Sequence, residues 1–112
     1  MQTETDRVQR RIAEEVAACA DFSGWEGAAP RDLAAHLVSP PRQEPFTSEL
    51  GAARDRSMLW LAVDECPGKD EGYLVVYDAS RDEFGLAVKA RGGEDGSLVG
   101  WYGSLREALE GM

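Results

Sequence analysis

The spacing of apolar positions changes character near residue 57. Before it, apolar residues recur every three or four positions. After it, they cluster in short continuous runs. Val8, Ile12, Val16 and Cys19 follow the helical period, with Ala13, Ala17 and Ala20 widening the stripe, and predict a helix over residues 4–20. Thr3 or Thr5 supplies its cap. Arg10–Glu14 and Arg11–Glu15 form i,i+4 pairs on its wet side, and Asp21-Phe22-Ser23-Gly24 stops it. A short second helix follows, with Pro30 in its first turn, Leu33, Ala34 and Leu37 on its apolar side, and Pro40-Pro41 as its end. Residues 39–56 carry little pattern. A short capped helical turn near 48–54 is the element expected there, because a long unstructured loop is unusual in a small domain.

The runs beyond residue 57 predict strands. Met58-Leu59-Trp60-Leu61-Ala62-Val63 is the first, Tyr73-Leu74-Val75-Val76-Tyr77 the second, and Phe84-Gly85-Leu86-Ala87-Val88-Lys89 the third. The fourth and weakest is Leu98-Val99-Gly100-Trp101-Tyr102. Ser104, with Glu107 three residues on, reads as a capping box opening a C-terminal helix that carries Leu105, Ala108 and Leu109. Because the strand connections are short, the expected sheet is an antiparallel meander. The fold class is therefore α+β: a single domain over residues 1–112. It contains a four-stranded antiparallel meander sheet at about 57–102, with the N-terminal helix, the short second helix and the short C-terminal helix packed mainly on one face.

Alternation sorts the strand side chains into two faces. Phe84, Leu86 and Val88 oppose Gly85, Ala87 and Lys89, and these large residues mark the face expected to meet the helices. Leu74 and Val76 oppose Tyr73, Val75 and Tyr77. Leu59, Leu61 and Val63 oppose Met58, Trp60 and Ala62. Both faces are apolar. If helices cover one, the face bearing Trp60, Tyr73 and Tyr77 needs a second cover: segment 39–56, a second copy of the chain, or a different partner.

Charge adds a second expectation. Of 112 residues, 21 are acidic and 12 basic, for a net charge of −9. Residues 57–112 carry 11 acids against 5 bases. That field opposes binding to nucleic acid or anionic membrane and favours a basic protein. In a meander, the first and third strand connections share one end of the sheet. Asp64, Glu65, Asp70, Glu71, Glu94 and Asp95 would then gather at one acidic pole, opposed by Lys69 and Arg91.

Chemical motifs are sparse. The one histidine, His36, lies between Ala35 and Leu37 and reads as a packing residue. The two cysteines, Cys19 and Cys66, match no metal or redox spacing and read as core residues. No catalytic residue, metal site or cofactor is assigned. Apolar runs are too short to cross a bilayer, and the N-terminus lacks a signal-peptide pattern, so the expected location is the cytoplasm. The function expected is that of a non-catalytic interaction domain, such as a small inhibitor or immunity-type protein binding a basic partner, through Trp60, Tyr73, Tyr77 and the six pole carboxylates. The alternative is a small-ligand-binding domain or small enzyme with a pocket between the sheet and segment 39–56, lined by Trp60, Tyr73, Tyr77 and His36.

Overall fold

The computed structural model describes residues 3–19, 36–38, 41–48, 55–65, 72–89 and 96–111. Helix α1 spans Glu4–Ala18. The Thr3 hydroxyl accepts the Asp6 N–H at 3.1 Å, and the Asp6 carboxylate takes the Thr3 N–H at 3.4 Å, closing the first turn reciprocally. Five strands follow: β1 (Gln43–Ser48), β2 (Asp55–Asp64), β3 (Tyr73–Asp78), β4 (Glu83–Val88) and β5 (Gly96–Tyr102). Helix α2 (Leu105–Glu110) comes last. Ser104 caps it by accepting the Glu107 N–H at 3.2 Å.

The sheet is a closed barrel in the order β1-β2-β3-β4-β5, not an open four-stranded meander. Each consecutive pair is antiparallel. With five alternating strands, the first and last run in the same direction, so closure has to be parallel. Phe46, Thr47 and Ser48 indeed pair in parallel with Gly96, Ser97 and Leu98. The added strand is β1, drawn from the segment expected to be a loop with a helical turn. Within that expected turn only Ser48 is described, and it lies in β1.

Pro45 masked this strand in the sequence, and the pairing explains why it is tolerated. The Leu61 N–H donates to the Arg42 carbonyl at 2.8 Å. In that register the hydrogen-bonded pairs fall at Arg42, Glu44 and Phe46. Pro45 therefore sits opposite Met58 at a non-hydrogen-bonded pair, its nitrogen turned away from β2, one residue before pairing with β5 begins.

Closure divides the apolar residues between two cores. Phe46, Leu59, Leu61, Leu74, Val76, Ala87 and Leu98 fill the barrel interior, with Val38 and Trp101 packed against them. The second core lies outside the barrel wall. There Trp60, Val63, Val75, Tyr77, Phe84 and Leu86 meet Val8 and Ile12 of α1, Cys19 at its C-terminal cap, and Leu105, Ala108 and Leu109 of α2. Phe84 and Leu86 thus share their face with Tyr77 and Val75, as the register Tyr77↔Phe84 and Val75↔Leu86 requires. Bulges at Leu61/Val63 in β2 and opposite Leu86/Ala87 in β5 shift the alternation, sending Val63 outward although Leu61 points inward.

Trp60 and Tyr77 of the aromatic face are therefore covered by the chain's own helices. The opposite face is covered by the barrel closing on itself. Of the expected second helix, residues 30–35 lie outside the described residues. Leu37 forms an antiparallel bridge with Val63, and the Val38 N–H donates to the Ala62 carbonyl at 2.9 Å, so the chain is extended there. Among the described residues, no helix is long and apolar enough to cross a membrane.

Candidate functional site

Two polar clusters and one uncovered surface lie on the barrel. The first cluster joins α1 to the β3–β4 turn. Tyr77, near the end of β3, donates its hydroxyl to Asp82 Oδ1 at 2.6 Å. Arg11 Nε donates to the same oxygen at 2.9 Å, while Arg11 Nη1 donates to Glu15 Oε2 at 2.9 Å. Glu15 Oε1 in turn accepts the Leu105 N–H at 2.9 Å, satisfying an amide of the first turn of α2. The Arg11 guanidinium also lies 5.7 Å from the centroid of the Phe84 ring. Asp82 takes a left-handed backbone, φ 54°, which asparagine and aspartate tolerate better than other side chains.

Electrostatics fixes the protonation of this set. Burial and the bond to Asp82 push the Tyr77 hydroxyl up to about 12. The bonds from Tyr77 and Arg11 hold the Asp82 carboxyl below its ordinary value. The bonds to Glu15 and Asp82 raise Arg11 further. At neutral pH Tyr77 is therefore a phenol and Asp82 a carboxylate beside the Arg11 guanidinium. The geometry of the cluster fastens both helices and the turn together and presents no activated nucleophile. Beside it runs an open groove of about 510 Å³, bordered by Glu4, Arg7, Val8 and Ala79.

The second cluster lies at the opposite end of the strands. There β2 and β4 finish and β3 and β5 begin, since Asp64 pairs with Leu74, Tyr73 with Val88, and Val88 with Ser97. Asp64 and Glu65 of the expected pole sit at this end. Asp70, Glu71, Glu94 and Asp95 lie outside the described residues, as does Cys66. The Asp64 carboxylate is 2.7 Å from Lys89 Nζ, a cation that the count of Lys69 and Arg91 passed over. Glu65 Oε1 accepts the Tyr73 N–H at 3.1 Å, and the Glu65 N–H returns to the Tyr73 carbonyl at 3.0 Å. His36 is buried, with Nδ1 3.1 Å from the Asp64 carbonyl. A carbonyl only accepts, so Nδ1 carries the proton. Among the described residues, no group of three His, Cys, Asp or Glu side chains converges as a metal site would.

The three aromatic residues singled out in the sequence separate. Trp60 and Tyr77 are 6% and 5% exposed, beneath the helices, while Tyr73 is 37% exposed at the pole. Tyr73 opens an uncharged row across the outer barrel wall. The register carries it from Tyr73 to Val88, then to Ser97 and Thr47. Each of these neighbours an inward residue in the chain and so points out. Val99, 46% exposed, flanks the row on β5, and Met58, 55% exposed, lies opposite Pro45 on β2. Sequence reasoning missed Met58 and Val99 as surface residues because each sits inside an apolar run. No protein-family model, no curated protein and no solved structure matches this chain.

Proposed function

We propose that this chain is a non-catalytic, cytoplasmic protein-interaction domain of the small inhibitor or immunity type, binding a basic partner with the pole end of its barrel. The observation carrying this reading is the uncharged row that starts at Tyr73 and runs directly beside Asp64 and Glu65. An uncharged strip with carboxylates at one end fits a protein interface, whose centre is depleted of charge and whose rim is polar. The net charge of −9 supplies long-range attraction for a basic partner. The filled barrel interior supports recognition on the surface rather than within.

The test uses the whole chain as bait in extracts of its native organism, at low and high salt. A Tyr73→Ser, Val99→Ser variant serves as the control. A single basic protein retained at low salt is then purified and titrated against both forms. Loss of a central tyrosine from an interface costs about 2 kcal/mol, so binding should weaken roughly 30-fold in the variant. A partner held equally by both forms, or an acidic partner insensitive to salt, refutes the reading.

A further inference from the structure

The groove beside α1 contains charged side chains that the fold does not use. Glu4 and Arg7 sit three residues apart on α1, both exposed. Among the described residues, neither makes a side-chain hydrogen bond or ion pair. Across the groove, Asp82 commits Oδ1 to both Tyr77 and Arg11, and among the described residues Oδ2 has no hydrogen-bond partner. Charges at the start of a helix are commonly left to solvent. These, however, border a space of about 510 Å³ with Val8 and Ala79 as apolar lining, within the roughly 300–1,000 Å³ of small-ligand sites.

The uncommitted groups are of both signs. A simple anion attracted to Arg7 meets Glu4 and Asp82, and a simple cation attracted to the carboxylates meets Arg7. A molecule carrying separated positive and negative groups avoids both conflicts. We propose that this groove binds a small zwitterion of the amino-acid or short-peptide class, its carboxylate on Arg7 and its ammonium between Glu4 and Asp82 Oδ2. Arg11 does not move to meet it. Held by Glu15 and Asp82, it fixes the wall on which Asp82 presents its free oxygen. The site is open to water, so binding is weak and its selectivity rests on the pairing of both ends.

The experiment is a titration of the isotope-labelled full chain, read by backbone amide shifts, with three probes: L-alanyl-L-valine, its N-acetyl form and its C-terminal amide. The expected result is saturable shifts in residues 4–11 and 79–82 with the free dipeptide, and about fivefold weaker binding of each capped form, the scale of one exposed ion pair. Arg7→Gln should make the free dipeptide and its amide bind alike. Glu4→Gln should narrow the difference between the free dipeptide and its N-acetyl form, with Asp82 holding what remains. Both substitutions are at exposed helix positions, so the fold is retained. The proposal is overturned by any of three results: no saturable shift in those two segments, capped forms as tight as the free dipeptide, or unchanged selectivity in both variants.

Discussion

Closure of the barrel between β1 and β5 predicts a sharp intolerance at Gly96. A Cβ placed there would lie 2.6 Å from Phe46 Cε1, 2.7 Å from Phe46 Cδ1 and 2.9 Å from the Val88 carbonyl oxygen. Carbon atoms in good contact are about 3.5–4.0 Å apart, so the overlap is on the order of 1 Å. The Phe46 ring is enclosed by Leu59, Leu61 and Leu98 and cannot retreat freely, while the Val88 oxygen belongs to the neighbouring strand. Overpacking of this kind costs about 1–3 kcal/mol. At about 2 kcal/mol and a urea slope near 2 kcal/mol per molar, Gly96→Ala should lower the unfolding midpoint by roughly 1 M. Gly100→Ala is the internal control. On the same strand, a Cβ there meets only Tyr102 Cε2 at 3.9 Å, so the change should stay within about 0.5 kcal/mol. Shortening the ring should relieve the clash: in a Phe46→Leu background the cost of Gly96→Ala should fall by about 1 kcal/mol, a coupling that a double-mutant cycle measures. If Gly96→Ala behaves like Gly100→Ala, or if the two changes simply add, Phe46 does not pack on Gly96 and the closure is wrong.

Two further outcomes follow from the Arg11 cluster. Arg11→Met removes charge-assisted bonds to Glu15 and Asp82 at once and should cost about 2 kcal/mol in urea unfolding, with Arg11→Lys recovering only part; full stability in Arg11→Met would show that the cluster does not hold α1. Tyr77 ionises at about 12 when folded, against about 10 when unfolded. The unfolded chain thus loses this proton first, and the contribution is complete below about pH 10 and is lost as pH rises through the folded value. An ultraviolet titration of the chain against its Tyr77→Phe variant should assign a delayed ionisation to Tyr77, and loss of the Tyr77 proton near pH 10 would contradict it.

What the sequence conveyed and what it concealed divide along the range of the interactions. Helix α1 and its Thr3 cap, the Ser104 cap of α2, and strands β2 to β5 are set by local period and composition, and all are legible. Strand β1 is not. In Gln43-Glu44-Pro45-Phe46-Thr47-Ser48 only Phe46 is apolar and buried among the residues whose burial is described, and the strand exists because β2 and β5 supply its partners. The face assignment was right for Phe84 and Leu86, which meet the helices, and failed for Trp60 and Tyr77 for a related reason. Both faces of β2 to β4 are apolar, so alternation alone does not say which meets the helices, and the bulge after Leu61 reverses the side on which Val63 falls. The Arg11–Glu15 pair was readable as i,i+4 spacing, but it lies partly buried against the barrel rather than on the wet side, tied to Asp82 71 residues away. No local pattern announces a contact of that separation.

The barrel also decides which functional tests are independent. The row beginning at Tyr73 lies where β3 begins, and the groove beside Asp82 lies just past its end at Asp78. The five steps from Tyr73 to Asp78 at about 3.3 Å each place the two sites roughly 17 Å apart. Perturbations beyond about 7–10 Å with no shared partner add without coupling. Tyr73 and Val99 share no hydrogen bond with Glu4, Arg7 or Asp82, and the β3–β4 ladder between them is continuous from Tyr73↔Val88 to Asp78↔Glu83. Replacing the pole residues should therefore leave dipeptide shifts at the groove unchanged, and neutralising Arg7 or Glu4 should leave protein capture at the pole unchanged. Cross-talk in either direction would mean that one site is being read through damage to the other, and neither assignment would then stand on its own data.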